Sequence, residues 1–370
     1  MLHTISAAGI GGAGSQIIDK VARNNINTVA VNSTEIDTVG VDHSSGLIYL
    51  GKEGCGKIRS EGKKLVKNQA SQFIPRLAEL CGDASLVFII GATSGGTGSG
   101  SLPITSDLLR SYYKSQKRDV KIIAIGILPD ASEDVRALSN AIETVKELSG
   151  LGIPYMLYDN DTVQGSLINK YTTINNSIVE DIMVLRGDYN LPTVYGSMDV
   201  RDSSNLLKVP GLMTVNKISG FKKTTLDQKS FDSLILKSIK ESYNVQLQKD
   251  KVIGRIGLIV SLTEEMLDSF DKGISAVQDE LGKASEIYTH INIVEDEKEV
   301  SIITILTGLS VPDSRLEDMA YAIEAAKEKV LKQSKSSIND LSATADWLRD
   351  KDEEDEEDDV ELFEESLNKW

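Results

Sequence analysis

Residues 91–101 read Gly-Ala-Thr-Ser-Gly-Gly-Thr-Gly-Ser-Gly-Ser and follow directly on the apolar run Leu86-Val87-Phe88-Ile89-Ile90. Glycines and small hydroxyl residues at the end of a buried strand leave backbone N–H groups open to an anion, because no Cβ stands in the way. Leu102 to Tyr113 is helix-compatible, with Pro103 read as lying near the first turn, so a helix start would add its partial positive charge at the same place. The segment therefore predicts a phosphate cradle. A flexible linker is the weaker reading, since linkers are not normally wedged between a buried strand and an apolar helix.

A second glycine cluster stands near the N-terminus, where the strand-like run Thr4–Ala8 leads into Gly9-Ile10-Gly11-Gly12-Ala13-Gly14-Ser15-Gln16 and then helix-like Ile17–Asn24. By itself this fits the G-x-G-x-x-G dinucleotide fingerprint. Such a site also wants an acidic residue at the end of the next strand to hold a ribose. Here that strand, Thr28–Val31, ends in Asn32, with Glu35 and Asp37 only later, and His3, His43 and His290 are poorly placed to relay a proton. An NAD(P)-binding oxidoreductase is thus a runner-up, and two glycine loops gripping one nucleotide from two sides is the favoured expectation.

Strand-like runs at 4–8, 28–32, 47–50, 85–90, 121–128 and 153–158 alternate with helical stretches at 14–24, 57–80, 101–114 and 134–149. That alternation predicts an α/β fold with a mainly parallel sheet and ligands beyond the carboxyl ends of its strands. Residues 166–187 form a long central helix candidate closed by Gly187. Strands at 211–218, 256–262, 287–294 and 299–308, with helices near 228–243 and 264–282, predict a smaller α/β domain, and a helix follows at about 313–348. The expected division is 1–165, 166–188, 189–311, 312–348 and an acidic tail, 349–370.

Hydrophobic content of 40% and 26% charged residues suit a soluble globular protein. No run reaches the roughly 18 apolar residues of a membrane span and no signal-like segment opens the chain, so the cytoplasm is the expected location. Cys55 and Cys81 are too few for a disulfide framework and, with three histidines, offer no zinc site; no protein metal site is expected. The net charge is −16, of which 346–370 carries −10, leaving −6 for the rest. Such an acidic block repels itself and cannot fold alone, reading either as a solubilising end or as a tail for a basic partner. It disfavours direct DNA binding, which needs Lys and Arg.

These residues together resemble the tubulin/FtsZ superfamily. Gly95-Gly96-Thr97-Gly98-Ser99-Gly100 matches its signature loop, and Gly11-Gly12-Ala13-Gly14-Ser15-Gln16 its first phosphate loop, with Gln16 where the family has a base-contacting amide. Asn32 resembles the loop after the second strand, and Gly51-Lys52-Glu53-Gly54-Cys55-Gly56-Lys57 the loop that senses the γ-phosphate. Tyr171 and Asn175, four apart on one helix face, fall where the family stacks guanine and bonds its edge. Asn160 resembles a further base or ribose contact, and Glu133 and Arg136 fall in the ribose loop, although the usual Pro-Phe and Glu-Gly pattern of FtsZ is absent.

Ser197-Met198-Asp199-Val200-Arg201-Asp202 resembles the loop carrying Asn-x-Asp-x-x-Asp in FtsZ, with Ser197 in place of the asparagine. In the family this loop reaches into the nucleotide pocket of the next subunit in a filament. The resemblance implies a two-domain tubulin/FtsZ-like fold, GTP or GDP with Mg²⁺ as cofactors, and GTP hydrolysis through Asp199 and Asp202 acting in trans. The atypical ribose loop, the Gly-Cys-Gly-Lys stretch and the long final helix resemble the TubZ and phage-tubulin branch more than cell-division FtsZ. That branch implies a head-to-tail homopolymer that positions plasmid or phage DNA in a bacterium through a small DNA-binding adaptor of the TubR kind, without membrane binding.

Overall fold

The computed structural model describes residues 1–51, 53–189, 196–221, 228–248, 252–267, 270 and 275–344. Lys52 and the acidic tail of the sequence reading lie outside them. In the first half, β1 (Ile5–Ile10), α1 (Gly11–Ala22), β2 (Asn27–Asn32), β3 (Gly46–Tyr49), α2 (Arg59–Cys81), β4 (Leu86–Ala92), α3 (Gly96–Ser115), β5 (Lys121–Leu128), α4 (Val135–Gly150) and β6 (Pro154–Asp159) follow one another. After them come α5 (Leu167–Arg186), α6 (Val200–Leu207), β7 (Gly211–Ser219), α7 (Gln228–Lys240), β8 (Val252–Leu262), α8 (Glu264–Leu267), α9 (Ser275–Leu281), β9 (Lys283–Ile293), β10 (Ser301–Leu309) and α10 (Asp313–Thr344).

The strands form one sheet in the order β3-β2-β1-β4-β5-β6-β7-β10-β8-β9. From β3 to β7 every neighbour is parallel, while β10 runs antiparallel between β7 and β8. The two stretches of sheet expected from the sequence are therefore continuous. Their seam is narrow, because β6 and β7 pair only through Pro154 with Gly211 and Tyr155 with Leu212. Strands covered on both faces read as unbroken apolar runs, and β1 is buried along its whole length. The edge strand β9 instead exposes Glu286 and Ile287.

Helix α5 is the spine. Ser166 caps it by accepting from the Asn169 amide at 3.3 Å, and Gly187 closes it in the left-handed region at φ 87°. Its buried Ile174, Ile178 and Ile182 share one core with Phe88, Ile90 and Ile125 of the parallel half and with Met198, Ile259 and Ile303 of the other. The chain divides into two compact units, Met1–Ala322 and Ile323–Trp370. Within the second, α10 carries an exposed Lys332–Glu328 pair at 3.5 Å.

Two helices start earlier than the sequence suggests, α1 at Gly11 rather than 14 and α3 at Gly96 rather than 101. Pro103 therefore lies inside α3, not in its first turn. A proline there cannot donate to the carbonyl four residues back, and the Thr144 hydroxyl of α4 lies 3.2 Å from that Ser99 oxygen. The single helix expected over 264–282 is two short ones, α8 and α9.

Candidate functional site

The early helix starts matter because both glycine clusters become first helical turns. The residues preceding α1 and α3 are Ile10 and Gly95, and neither gives a side-chain cap. Four N–H groups at a helix start have no partner within the helix. With no cap and no acidic residue in either first turn, these two starts suit an anion. Backbone crowding holds them together. Gly11 has φ 73°, and a Cβ on it would stand 3.2 Å from the Gly98 nitrogen; one on Gly98 would meet the Ala92 carbonyl oxygen at 2.6 Å. Ser33 at the end of β2 shares a 2.8 Å hydroxyl contact with Thr97, and the Thr97 hydroxyl donates to Cys55 Sγ at 3.4 Å.

A cavity of about 420 Å³ opens in front of these helix starts. Gly12 and Gln16 of α1 and Gly95, Gly96, Thr97 and Gly98 of the signature stretch form one side; Glu133, Asn160, Tyr171 and Asn175 form the other. Tyr171 is 45% exposed and Asn160 only 5%. The Asn160 side-chain oxygen has no hydrogen-bond partner despite its burial, a cost that a polar ligand at this wall would relieve. Burial raises the pKa of both Glu133 and Tyr171, making each a weaker acid, with Lys57 opposing in each case. A smaller cavity of about 380 Å³ shares Gln16, Tyr171 and Asn175 and adds Asp19, Lys20 and Arg23.

The wall beyond β5 and β6 is fixed by buried ion pairs. Arg315 Nε bonds Asp159 at 2.6 Å, and its Nη2 reaches Asp161 at 2.7 Å and the Pro129 carbonyl at 3.0 Å. Asp161 in turn accepts from the Ala131 amide at 3.0 Å. Asp130 pairs with Lys170, next to Tyr171, and accepts from the Ser132 hydroxyl at 2.7 Å. Burial alone would raise the Asp130 carboxyl, but these partners outweigh it and hold it well below the usual carboxylate range.

Several residues expected at the site do not line the cavity. Gly11 stands behind the wall against Gly98, while Gly14 packs on β1 and β4, where a Cβ would meet the Ile90 carbonyl at 2.5 Å. Ser15 is buried with an unpartnered hydroxyl, and Asn32 is buried with its side-chain oxygen accepting from the Ser33 amide at 2.8 Å. Ser99 turns back to donate to the Gly95 carbonyl. In the 51–58 loop Gly54 and Gly56 are exposed, Cys55 is buried against Gly96, and Lys57 pairs with Asp134 at 2.5 Å. Arg136 is exposed on α4.

Asp199 and Asp202 lie outside the cavity too. They begin α6 as a reciprocal capping box: Asp199 accepts from the amides of Arg201 and Asp202 at 2.7 and 2.8 Å, and Asp202 accepts from the Asp199 amide at 3.3 Å. Two polar wall residues were not singled out from the sequence. Ser94 sits inside the glycine-rich run, and Asp37 in a short 3-10 turn, Ile36–Thr38, after β2. Asp37 carries a readable signal, since ligands gather where parallel strands end. Arg315 carries none, because its partners are more than 150 residues away.

The chain's likenesses agree with this geometry. A family model described as Tubulin/FtsZ family, GTPase domain, matches residues 4–167. Tubulin-like protein CetZ of Thermococcus kodakarensis is 25% identical over 321 residues, covering 81% of each chain. Cell division protein FtsZ 1 of the same organism is 22% identical over 329 residues, covering 85% of this chain and 83% of that protein. A GTPγS-form protofilament of Bacillus thuringiensis serovar israelensis TubZ shares the fold at a TM-score of 0.72 and 17% identity, over 91% of this chain and 94% of that one. The glycine-lined cavity falls within the matched segment but for its last two wall residues, Tyr171 and Asn175, and residues 4–167 form a GTPase domain of the Tubulin/FtsZ family.

Proposed function

We propose that the protein is a GTP-dependent polymerising cytoskeletal GTPase whose pocket holds GTP while Asp199 and Asp202 act on the nucleotide of the next subunit. One observation carries this reading: the carboxylates suited to activating water stand at the start of α6, off the wall of their own subunit's cavity. A head-to-tail neighbour supplies what the pocket lacks, so hydrolysis waits for assembly. That a TubZ with this fold is a protofilament supports the self-assembly this reading needs.

In this reading the amides starting α1 and α3 hold the phosphates, and Gly54, Cys55, Gly56 and Lys57 flank the γ-phosphate. Gln16, Asn160, Tyr171 and Asn175 hold guanine, with Glu133 and Arg136 toward the ribose. Mg²⁺ accompanying the triphosphate supplies neutralisation of charge on the phosphoryl oxygens. Asp202 orients and polarises a water in line with the γ-phosphate, and Asp199 adds charge while holding the helix start. In this reading 1–165, with Tyr171 and Asn175 of the central helix, binds nucleotide, 189–311 presents the acidic loop, and 166–188 couples the two.

Light scattering at 90° with GTP, GDP, ATP and NAD, with phosphate release followed in parallel, tests the reading. Scattering and turnover are expected to rise steeply with protein concentration in GTP alone; flat scattering in GTP at every concentration overturns it. The resemblance of the ribose loop, the Gly-Cys-Gly-Lys stretch and the long final helix to the TubZ branch motivates plasmid or phage DNA as cargo in the bacterial cytoplasm, engaged through a small TubR-like adaptor on centromere DNA. The sequence likeness to FtsZ supports a second reading, cell division. Labelled filaments that travel with a DNA focus favour the first, and a band at the division plane the second.

A further inference from the structure

The acidic loop at the start of α6 is gripped from the edge strand β9 by a buried histidine. His290 is wholly buried, and its Nδ1 lies 3.1 Å from the backbone nitrogen of Met198, the residue just before Asp199. Its Nε2 lies 2.9 Å from Asn292 Oδ1. These partners fix the ring's state. A backbone N–H can only donate, so Nδ1 carries the lone pair, and Nε2 carries the proton that Asn292 accepts. Asn292 is itself oriented, because its Nδ2 donates to the Tyr189 carbonyl at 3.1 Å.

Neighbouring contacts hold the same turn. The Ile291 amide donates to the Gly196 carbonyl at 3.2 Å, the Tyr189 hydroxyl lies 3.2 Å from Met198 Sδ, and the Tyr189 ring meets the His290 ring edge-on at 5.4 Å. None of these groups lies on the nucleotide cavity. Resting on the in-trans reading of Asp199 and Asp202, we infer that His290, as the neutral Nε2–H tautomer fixed by Asn292, is a positioning residue for hydrolysis. It holds the Met198 amide so that the carboxylates one and four residues later project at a set angle toward the neighbouring subunit's nucleotide.

The geometry sets two side-chain replacements against each other. An asparagine amide overlays the Nδ1 side of an imidazole and can accept from Met198, whereas a glutamine amide overlays the Nε2 side and leaves that N–H unpaired. His290→Gln is expected to lower assembly-dependent kcat by about 10- to 100-fold, as a loosened catalytic group does. GTP affinity and the KM for GTP should stay as they are, because the cavity is untouched. His290→Asn is expected to restore kcat to within about threefold of the original. Asn292→Ala, which keeps the ring but frees its tautomer, should lower kcat in the same direction by less.

Normal turnover by His290→Gln and Asn292→Ala, or equal damage from His290→Gln and His290→Asn, overturns the inference. Asp202→Asn is assayed alongside to separate its failure from that of the reading beneath it. Lost turnover in Asp202→Asn with normal turnover in His290→Gln removes His290 alone; normal turnover in Asp202→Asn removes the in-trans reading itself.

Discussion

The starts of α1 and α3 and the start of α6 are built on opposite principles. The first two have no side-chain cap and no acidic residue in their opening turns, and they face a cavity. The third is closed by its own aspartates in a reciprocal capping box. Leaving helix amides uncapped forgoes roughly 1 kcal/mol per helix, and the arrangement makes sense where a ligand supplies the missing acceptors. At α6 the subunit has already satisfied its amides, so the carboxylates there are held in place before any partner arrives. On the proposed reading, anion binding is a property of one chain, and the carboxylates of α6 are a preformed offering to another.

Gly98→Val should break the first region most severely. Its added carbon would meet the Ala92 carbonyl at 2.6 Å, and backbone cannot yield as a flexible side chain does. GTP affinity, measured with a fluorescent nucleotide, is expected to fall more than about 100-fold. Asp202→Ala strikes the second region: GTP binding persists, phosphate release above the assembly threshold falls about 100-fold, and filaments last longer. Mixing the two inactive variants should recover turnover, since one contributes a working pocket and the other a working loop. No recovery in the mixture would sink action in trans.

The parallel half of the fold and the glycine-lined end of the pocket were legible because local rules write them. Apolar runs, glycine clusters and strand–helix alternation are short-range signals, and the core residues Ile174, Ile178 and Ile182 appear at helical spacing. Less legible was where helices begin. Glycine-rich segments read as loops by propensity, yet close packing of Gly11 on Gly98 draws them into first turns. Contacts made at long range left no trace, such as Arg315 on Asp159 or His290 on Met198. The capping box is written locally in Asp199-x-x-Asp202, the spacing of a reciprocal cap.

The two regions should also differ in acid. His3 lies 2.8 Å from Ser203 of α6, and burial, helped by the Lys121 charge, brings its pKa down from 6.5 to about 4. A histidine held neutral in the folded state binds fewer protons than in the unfolded chain. Its contribution is therefore fully present above pH 6.5 and is lost as pH falls from 6.5 toward 4, by about 2–3 kcal/mol at most. The pocket wall's Asp130 stays ionised through that window. Denaturant melts from pH 7 to 4 should show this slope in the original protein and a flatter one in His3→Gln, which keeps a partner for Ser203 without a titrating ring. An unchanged slope in the variant would move the acid sensitivity elsewhere.

On the cavity wall, Tyr171→Ala should weaken GTP binding about tenfold, or ~1.4 kcal/mol, through loss of an aromatic face, while Tyr171→Phe should keep binding within about twofold. A large loss in the phenylalanine variant would assign the work to the hydroxyl rather than the ring.

The smallest expected effect separates the two duties of Asp199. Its Oδ1 accepts two amides at 2.7 and 2.8 Å, so truncation to alanine should cost about 1 kcal/mol of stability in a denaturant melt. Asparagine is as good a cap but carries no charge, and Asp199→Asn should therefore melt within about 0.5 kcal/mol of the original. Turnover then reports the charge alone. A fall of about two- to fivefold in kcat, with assembly unchanged, is expected if Asp199 adds field to a site where Asp202 polarises the water. Unchanged turnover would make Asp199 a cap and nothing more, and the preformed offering at α6 would reduce to a single carboxylate.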